Sequence, residues 1–408
     1  MKKRAGLAVI TLLLAVAVIV SGSVLVLRVF YTWSLVLFLG YLALFFTLKG
    51  ISFNETPLPE RAQVGTPIYQ QISLANKGRL PKFGIRVHAI NDLPRGDISA
   101  TLDLPARQTA IWKADYDLRH RGRYSLGRFC LGSTDPFGLF HREVAAGSSS
   151  EVLIHPPAVS LPSFSLLGLN GSGLSKRMPE ALSASASNIR EYSAGDSLRH
   201  IHWRSTAHTG RYMVKVFDAD KSRHRAEDYW VILDMGTFHS GRRDDSTVEY
   251  AVTLAASLAK EYIANGYKFG LISAAEDPIV LPSNTGQQHL TDILDFLAEV
   301  KPTGSFSFPE MIARNQGLFT SNSTIIIISP TSASSLTESF HQLNSRGCAV
   351  AYFLIDGTDF GGSSPTAVGR TLTQLGAPVY LLHRAETFKQ ALDQAASAGS
   401  WFNGANRS

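Results

Sequence analysis

Between Ala5 and Leu48 the chain carries a single charged side chain, Arg28. A membrane-crossing helix needs about 20 predominantly apolar residues. The run divides at Arg28 into Ala5–Leu27 and Val29–Leu48, room for two spans joined by a tight turn. Tyr31 and Trp33 suit the headgroup level near that turn. Met1-Lys2-Lys3-Arg4 precedes the run and Lys49 follows it, and basic flanks favour the cytoplasmic side. The expectation is a two-helix transmembrane anchor over residues 1–50, a two-pass topology in the cell (inner) membrane, and cytoplasmic soluble domains. A secretory signal peptide is the rival, because the basic start, the apolar core and Ala15-Val16-Ala17 fit that pattern too. It leaves the second apolar run unexplained.

Past residue 50 the hydrophobic period is two. Ile68, Gln70, Ile72 and Leu74 form one face; Phe83, Ile85, Val87 and Ala89 a second; Trp112, Ala114, Tyr116 and Leu118 a third. Asn76-Lys77-Gly78 and Asp135-Pro136-Phe137-Gly138 punctuate the strands as turns. Residues 51–157 therefore read as an antiparallel β-sandwich. Residues 158–229 are rich in Ser, Gly and Ala at first and read as a linker carrying a charged motif.

From Trp230 the pattern changes again. Trp230-Val231-Ile232-Leu233-Asp234 reads as a buried parallel strand, and Val248, Ala251, Val252, Ala255, Leu258, Ala259 and Tyr262 follow at helical spacing. Further strands are expected at 269–273, 324–329, 349–355 and 379–382, with helices near 291–300 and 336–345 between them. Strands alternating with helices over 230–408 imply a doubly wound, mostly parallel α/β sheet.

Charge narrows the function classes. The 39 Lys and Arg against 33 Asp and Glu leave a net charge of +6, and the basic residues are dispersed rather than massed, which argues against nucleic acid as a partner. Cys130 and Cys348 fall in different domains, so no disulfide framework is expected.

The densest cluster of polar chemistry is Arg190-Glu191-Tyr192-Ser193-Ala194-Gly195-Asp196-Ser197-Leu198-Arg199-His200-Ile201-His202-Trp203, followed by Arg204. Gly195-Asp196 suits a tight turn. Arg190, Glu191, Asp196 and Arg199 are able to form a network of guanidinium–carboxylate pairs, on which Trp203 stacks. Such a network either clamps the linker to the α/β domain or presents arginines to an acidic partner or a phosphate.

The spacing Arg-Glu-Tyr-x-x-Gly-Asp-x-x-Arg-x-Ile-x-Trp resembles the signature of the domain-of-unknown-function 58 family. Arg121-Gly122-Arg123-Tyr124 and Asp135-Pro136-Phe137-Gly138-Leu139 resemble further pieces of it. The resemblance implies a membrane-anchored bacterial protein, a von Willebrand factor A-like (Rossmann-like) α/β domain, and a MoxR-type AAA+ ATPase as partner. The role it implies is a non-enzymatic adaptor in the assembly or maturation of a client protein. At two positions the chain departs from the family's pattern: His202 stands where Asp is general, and His208 where Arg is usual.

A von Willebrand factor A domain commonly holds a cation through Asp-x-Ser-x-Ser, because carboxylate and hydroxyl oxygens suit a hard metal. Here the run is Asp234-Met235-Gly236-Thr237-Phe238, and the fourth strand ends Ser329-Pro330. Asp234 thus reads as a degenerate metal position that accepts backbone hydrogen bonds, and no metal or other cofactor is expected. His200 and His202 would share one face of a strand, but no third ligand lies near. The sequence has no Gly-x-Ser-x-Gly elbow, His-Glu-x-x-His or phosphate loop, and no small-molecule substrate is identified. A metal-dependent adhesion module and a hydrolase remain as the alternatives to the adaptor.

Overall fold

The apolar run folds as two helices, α1 (Lys2–Ser21) and α2 (Val24–Thr47). The break between them is at Gly22-Ser23, not at Arg28. Gly22 takes φ +56°, a conformation that costs any residue with a Cβ, and Ser23 is extended. Arg28 lies inside α2, and the Trp33 indole donates to the Thr11 hydroxyl at 3.1 Å across the two helices. α2, with 24 residues and a mean hydropathy of 1.9, is long and apolar enough to cross a membrane, while the apolar part of α1, Leu7–Ser21, is shorter.

This computed structural model describes residues 2–94, 96–135, 138, 140–160, 188–191, 201–216, 228–236, 246–274, 278–302, 308–331, 333–385 and 390. They divide into two units, 1–157 and 158–408.

In the first unit α2 leads almost directly into β1 (Ile51–Glu55), followed by β2 (Arg61–Gln63), β3 (Ile68–Asn76), β4 (Lys82–Ile90) and β5 (Ser99–Leu104). Then come β6 (Thr109–Tyr116), β7 (Gly122–Leu126), β8 (Arg128–Thr134), β9 (His141–Ala146) and β10 (Ser150–His155). The sheets run β1-β3-β6, β5-β4-β8-β9 and β2-β10-β7. All pairs are antiparallel except β2 with β10, which the expectation of a wholly antiparallel sandwich did not include. Ile72 and Leu74 of β3, Ile85 and Val87 of β4, Phe129 of β8 and Ile154 of β10 meet in one core. Period-two alternation sorts the faces.

One residue leaves its expected face. Phe83 is 68% exposed and Lys82 is buried, because the β4–β5 register shifts between Lys82 and Ile85. A bulge of this kind turns the residues before it to the other side. The Lys82 ammonium instead donates to the Lys49 carbonyl, just beyond the carboxyl end of α2, where a cation is favoured.

The second unit opens with β11 (Asn188–Glu191), α3 (Trp203–Thr209) and β12 (Met213–Val216). β13 (Asp228–Asp234), α4 (Thr247–Ala264), β14 (Lys268–Ala274), β15 (Ile279–Asn284), α5 (Gln287–Glu299) and α6 (Phe308–Arg314) follow. β16 (Ser323–Ser329), α7 (Ser335–Ser345), β17 (Ala349–Ile355), α8 (Thr366–Gln374) and β18 (Val379–Leu382) complete it. One six-stranded sheet runs β15-β14-β13-β16-β17-β18, parallel throughout except at the β15 edge.

Both faces of this sheet are covered, so its central strands are apolar on both sides. Every residue of β13 and of β16 is buried. Val231 and Leu233 pack with Leu254, Leu258, Ile293 and Leu297 of α4 and α5 on one face. Trp230, Ile232 and Ile327 pack with Leu336, Leu343 and Leu372 of α7 and α8 on the other. Ser246 starts α4 by accepting from the Glu249 amide at 3.3 Å, the first half of a capping box.

Candidate functional site

Two places merit attention: the small β11–α3–β12 element and the carboxyl ends of the parallel strands. Of the signature, Tyr192, Gly195, Asp196, Arg199 and His200 lie outside the described residues. The rest is held around β12. Arg190 pairs with Val214 and Glu191 with Met213 on one side of that strand. On its other side Ile201 bridges to Val214, and the His202 amide donates to the Met213 carbonyl at 2.7 Å. Ile201 and Val214 are buried, so the apolar position of the signature is a packing residue.

His202 does not lie on a strand beside His200 as a ligand pair would. It is the N-cap of α3: its Nδ1 accepts from the Ser205 amide at 3.2 Å and lies 2.8 Å from the Ser205 hydroxyl. The imidazole nitrogen thereby does what a capping Asp or Ser oxygen does for an unsatisfied first-turn amide. The helix stops at Gly210, φ +70°, whose amide donates to the Thr206 carbonyl. The Thr206 hydroxyl accepts from the Met213 amide at 3.0 Å and ties α3 to β12.

No residue of α3 is buried. Trp203 is 67% exposed, Tyr212 is 60% exposed, and Arg204 is exposed beside Trp203. The expected stacking of Trp203 on a guanidinium is not found among the described residues. Glu191 is instead 3.5 Å from Arg211, both exposed. An exposed pair of that kind contributes about 0–1 kcal/mol. The helix itself escaped the sequence reading, although His202-x-x-Ser205 and Gly210 are its start and stop signals.

At the strand ends, Asp234 is 1% exposed. It lies where the chain leaves β13, beside β16, at the point where ligands often bind in open α/β sheets. Its oxygens are occupied: Oδ1 accepts from the Gly236 amide at 3.0 Å and Oδ2 from the Ser329 hydroxyl at 2.5 Å. The Ser329 oxygen in turn accepts from the Thr331 amide at 3.0 Å. Thr237 and Phe238 lie outside the described residues. A hard cation takes six or more oxygen ligands. Among the described residues no group of three or more His, Cys, Asp or Glu is arranged to hold a metal.

Two further carboxylates were missed from sequence, Asp356, which is buried, and Asp359, which is partly exposed. Asp356, after β17, accepts from the Thr358 amide at 3.0 Å and hydroxyl at 2.8 Å, with His383 Nδ1 at 3.6 Å. Asp359 accepts from the Arg384 amide at 2.8 Å. Asp-x-Thr at a strand end was the available signal. These groups brace the loops after β17 and β18 more than they present reactive atoms.

Residues 188–359 match the family model described as "Protein of unknown function DUF58". The "Uncharacterized protein YeaD" of Bacillus subtilis is 23% identical over 275 residues, which cover 64% of this chain and 65% of that protein. This chain thus spans a little under two thirds of that relative's length. Among solved structures, the pilus adhesin SpaC of Lactobacillus rhamnosus GG aligns over 44% of this chain and 30% of its own at 10% identity, TM-score 0.32. A CARDB domain from Pyrococcus furiosus aligns over 26% of this chain and 94% of its own at 12% identity, TM-score 0.20. A beta-glucosidase of Listeria innocua aligns over 26% and 16% at 10% identity, TM-score 0.19. Similarities this weak carry no argument about fold or function.

Proposed function

We propose that this chain, whose residues 188–359 match the DUF58 family model, is a membrane-anchored, non-enzymatic adaptor that works with a MoxR-type AAA+ ATPase on a client protein. In this reading α1 and α2 form a transmembrane hairpin with both ends on the cytoplasmic side. Residues 228–385 form a von Willebrand factor A-like domain. The sheet order, five parallel strands with β15 antiparallel at one edge, supports that assignment.

The observation that carries the adaptor reading is α3. A helix with no buried residue presents a 67% exposed Trp203 next to Arg204, with the 60% exposed Tyr212 close behind in sequence. Trp, Tyr and Arg are the residues enriched in binding hot spots. A large indole left in water contributes little to folding and much to a surface that is covered by a partner. Asp234, engaged by Gly236 and Ser329, favours this over a metal-dependent adhesion module.

The test is capture of partners by the full-length tagged chain from detergent-solubilised membranes, with Trp203→Ala/Arg204→Ala alongside. Neither side chain is buried, so the variant is expected to fold. A hot-spot truncation costs about 2 kcal/mol or more, roughly 30-fold in affinity. An AAA+ ATPase bound by the wild type and lost from the variant is the expected result. Capture of no ATPase by the wild type sinks the proposal.

A further inference from the structure

We propose that Phe140, immediately before β9, sits in the acyl-chain boundary of the bilayer and forms a third membrane contact beside α1 and α2. The inference rests on the membrane reading of those helices.

The β-domain is tied closely to α2. Only Leu48-Lys49-Gly50 separates the helix from β1, Leu48, Ile51 and Phe53 pack against the sandwich core, and Lys82 holds the Lys49 carbonyl. That attachment carries Phe140 down beside the helices. The Phe140 ring lies 6.0 Å from Tyr41, edge to face. With Leu7 and Leu12 of α1 and Phe30 and Leu37 of α2 it lines an apolar groove of about 590 Å³.

Depth follows from helix geometry. Tyr41 precedes Lys49 by eight positions in the sequence. At about 1.5 Å per residue that is about 12 Å along the axis, more than the roughly 5–8 Å of the interfacial layer. If Lys49 lies at the headgroups, Phe140 lies at the level of the acyl chains. The helix surface beside it already faces outward with apolar groups, Phe38 being 60% and Leu39 51% exposed.

The amides of Asp135, Gly138 and Phe140 are all paired within the protein. Backbone groups that enter lipid must be satisfied internally. Here the Gly138 amide donates to the Asp135 carbonyl at 2.9 Å, the Asp135 amide to the Phe140 carbonyl at 3.1 Å, and the Phe140 amide to the Asp135 carboxylate at 2.5 Å. Asp135 is 5% exposed, so its charge is turned inward. Pro136, Phe137 and Leu139 lie outside the described residues. Above Phe140 sits a cationic collar: the Arg142 guanidinium is 5.5 Å and the Lys49 ammonium 6.0 Å from the Phe45 ring. Long basic side chains over an aromatic ring are what a headgroup level selects.

The test places nitroxide labels on single cysteines in the full chain, in lipid nanodiscs, with Cys130→Ser and Cys348→Ala as background. Phe140→Cys probes the proposed contact, Leu39→Cys the helix, and Lys113→Cys the exposed sandwich. Collision with oxygen reports lipid, and collision with a water-soluble nickel chelate reports water. Oxygen dominating at 39 and 140, with nickel dominating at 113, is the expected result. Nickel dominating at 140 while oxygen dominates at 39 overturns the wedge and leaves the anchor standing. Nickel dominating at 39 removes the anchor and the wedge with it. Should Phe140→Cys not fold, Phe140→Trp provides the same reading: its added fluorescence is quenched by lipids brominated in the acyl chain, or the wedge is wrong.

Discussion

Gly270→Ala tests the central sheet most directly. Gly270 sits opposite Trp230 on the neighbouring parallel strand. A Cβ added there meets the indole at 2.5 Å from Cε3, 2.7 Å from Cζ3 and 2.8 Å from Cδ2, separations that carbon atoms do not tolerate. The ring is not the free end of a flexible chain. It is 2% exposed, its Nε1 donates to Asp228 at 2.8 Å, and Phe319 meets it edge-on at 5.6 Å. Overpacking of a fixed core costs about 1–3 kcal/mol. If the ring moves to relieve the clash, the indole–carboxylate bond is strained as well, worth about 1.5–3 kcal/mol. The sum, about 2.5–6 kcal/mol, amounts to a fall in melting temperature on the order of 10 °C for a unit of this size. Thermal unfolding of the full chain in detergent, followed by circular dichroism, reads it. Adding Trp230→Leu to Gly270→Ala then gives a double variant more stable than the sum of the single losses, because the colliding group is gone. A Gly270→Ala chain within about 0.5 kcal/mol of wild type, the range of ordinary surface substitutions, would mean that the indole does not lie over Gly270.

Two further outcomes follow from buried polar groups. Ser329→Ala removes the hydroxyl that donates to Asp234 at 2.5 Å, and a loss of about 1.5–3 kcal/mol is expected in urea unfolding. Added millimolar Mg²⁺ is expected to leave the wild-type midpoint unchanged, and a clear upward shift would restore the metal reading of Asp234. In the sandwich, burial pushes the Tyr116 phenol up to about 12, and its hydroxyl donates to Gln70 at 2.9 Å. A phenol whose folded value is raised contributes stability that is complete below the unfolded value near 10 and lost as pH climbs through about 12. Tyr116→Phe is therefore expected to flatten the decline in urea midpoint across that window, and an unchanged decline refutes the assignment.

Much of this architecture is visible in the residues because burial imposes a period. Ile325–Ile328 has no polar partner to turn outward, which is how a strand covered on both faces reads. Ile68 to Leu74 alternates because one face of β3 is in the core and the other is not. The features that escaped are those set by a single backbone angle or by a distant partner. Gly22 breaks the apolar run through its φ, while the charge of Arg28 drew attention to a position inside a helix. The register shift at Phe83 moves an aromatic to water with no change in local composition. β15 holds Pro282, which argues against a central strand but is tolerated at a sheet edge. His202 reads as a surface or partner-facing histidine because histidine is rarely a cap, and only the Ser205 amide 3.2 Å from its ring nitrogen shows what it does.

The described residues divide sharply in how their polar groups are used, and that division bears on function more than any single contact. At the strand ends, where an α/β enzyme would expose reactive atoms, Asp234 and Asp356 are 1% and 5% exposed and are engaged by hydroxyls and amides of their own loops. Groups in that state favour a stable scaffold, since any reaction there first requires breaking several bonds of the fold. α3 is the reverse: small, capped by its own residues, and crowned with an indole that water surrounds. A fold gains little by keeping Trp203 so placed, whereas an interface gains most from such a residue. On the adaptor reading proposed above, the protein's chemistry is recognition, exerted from an element with no buried residue. A helix replacement that kept His202 and Gly210 as caps but exchanged the exposed face would therefore alter binding while sparing stability.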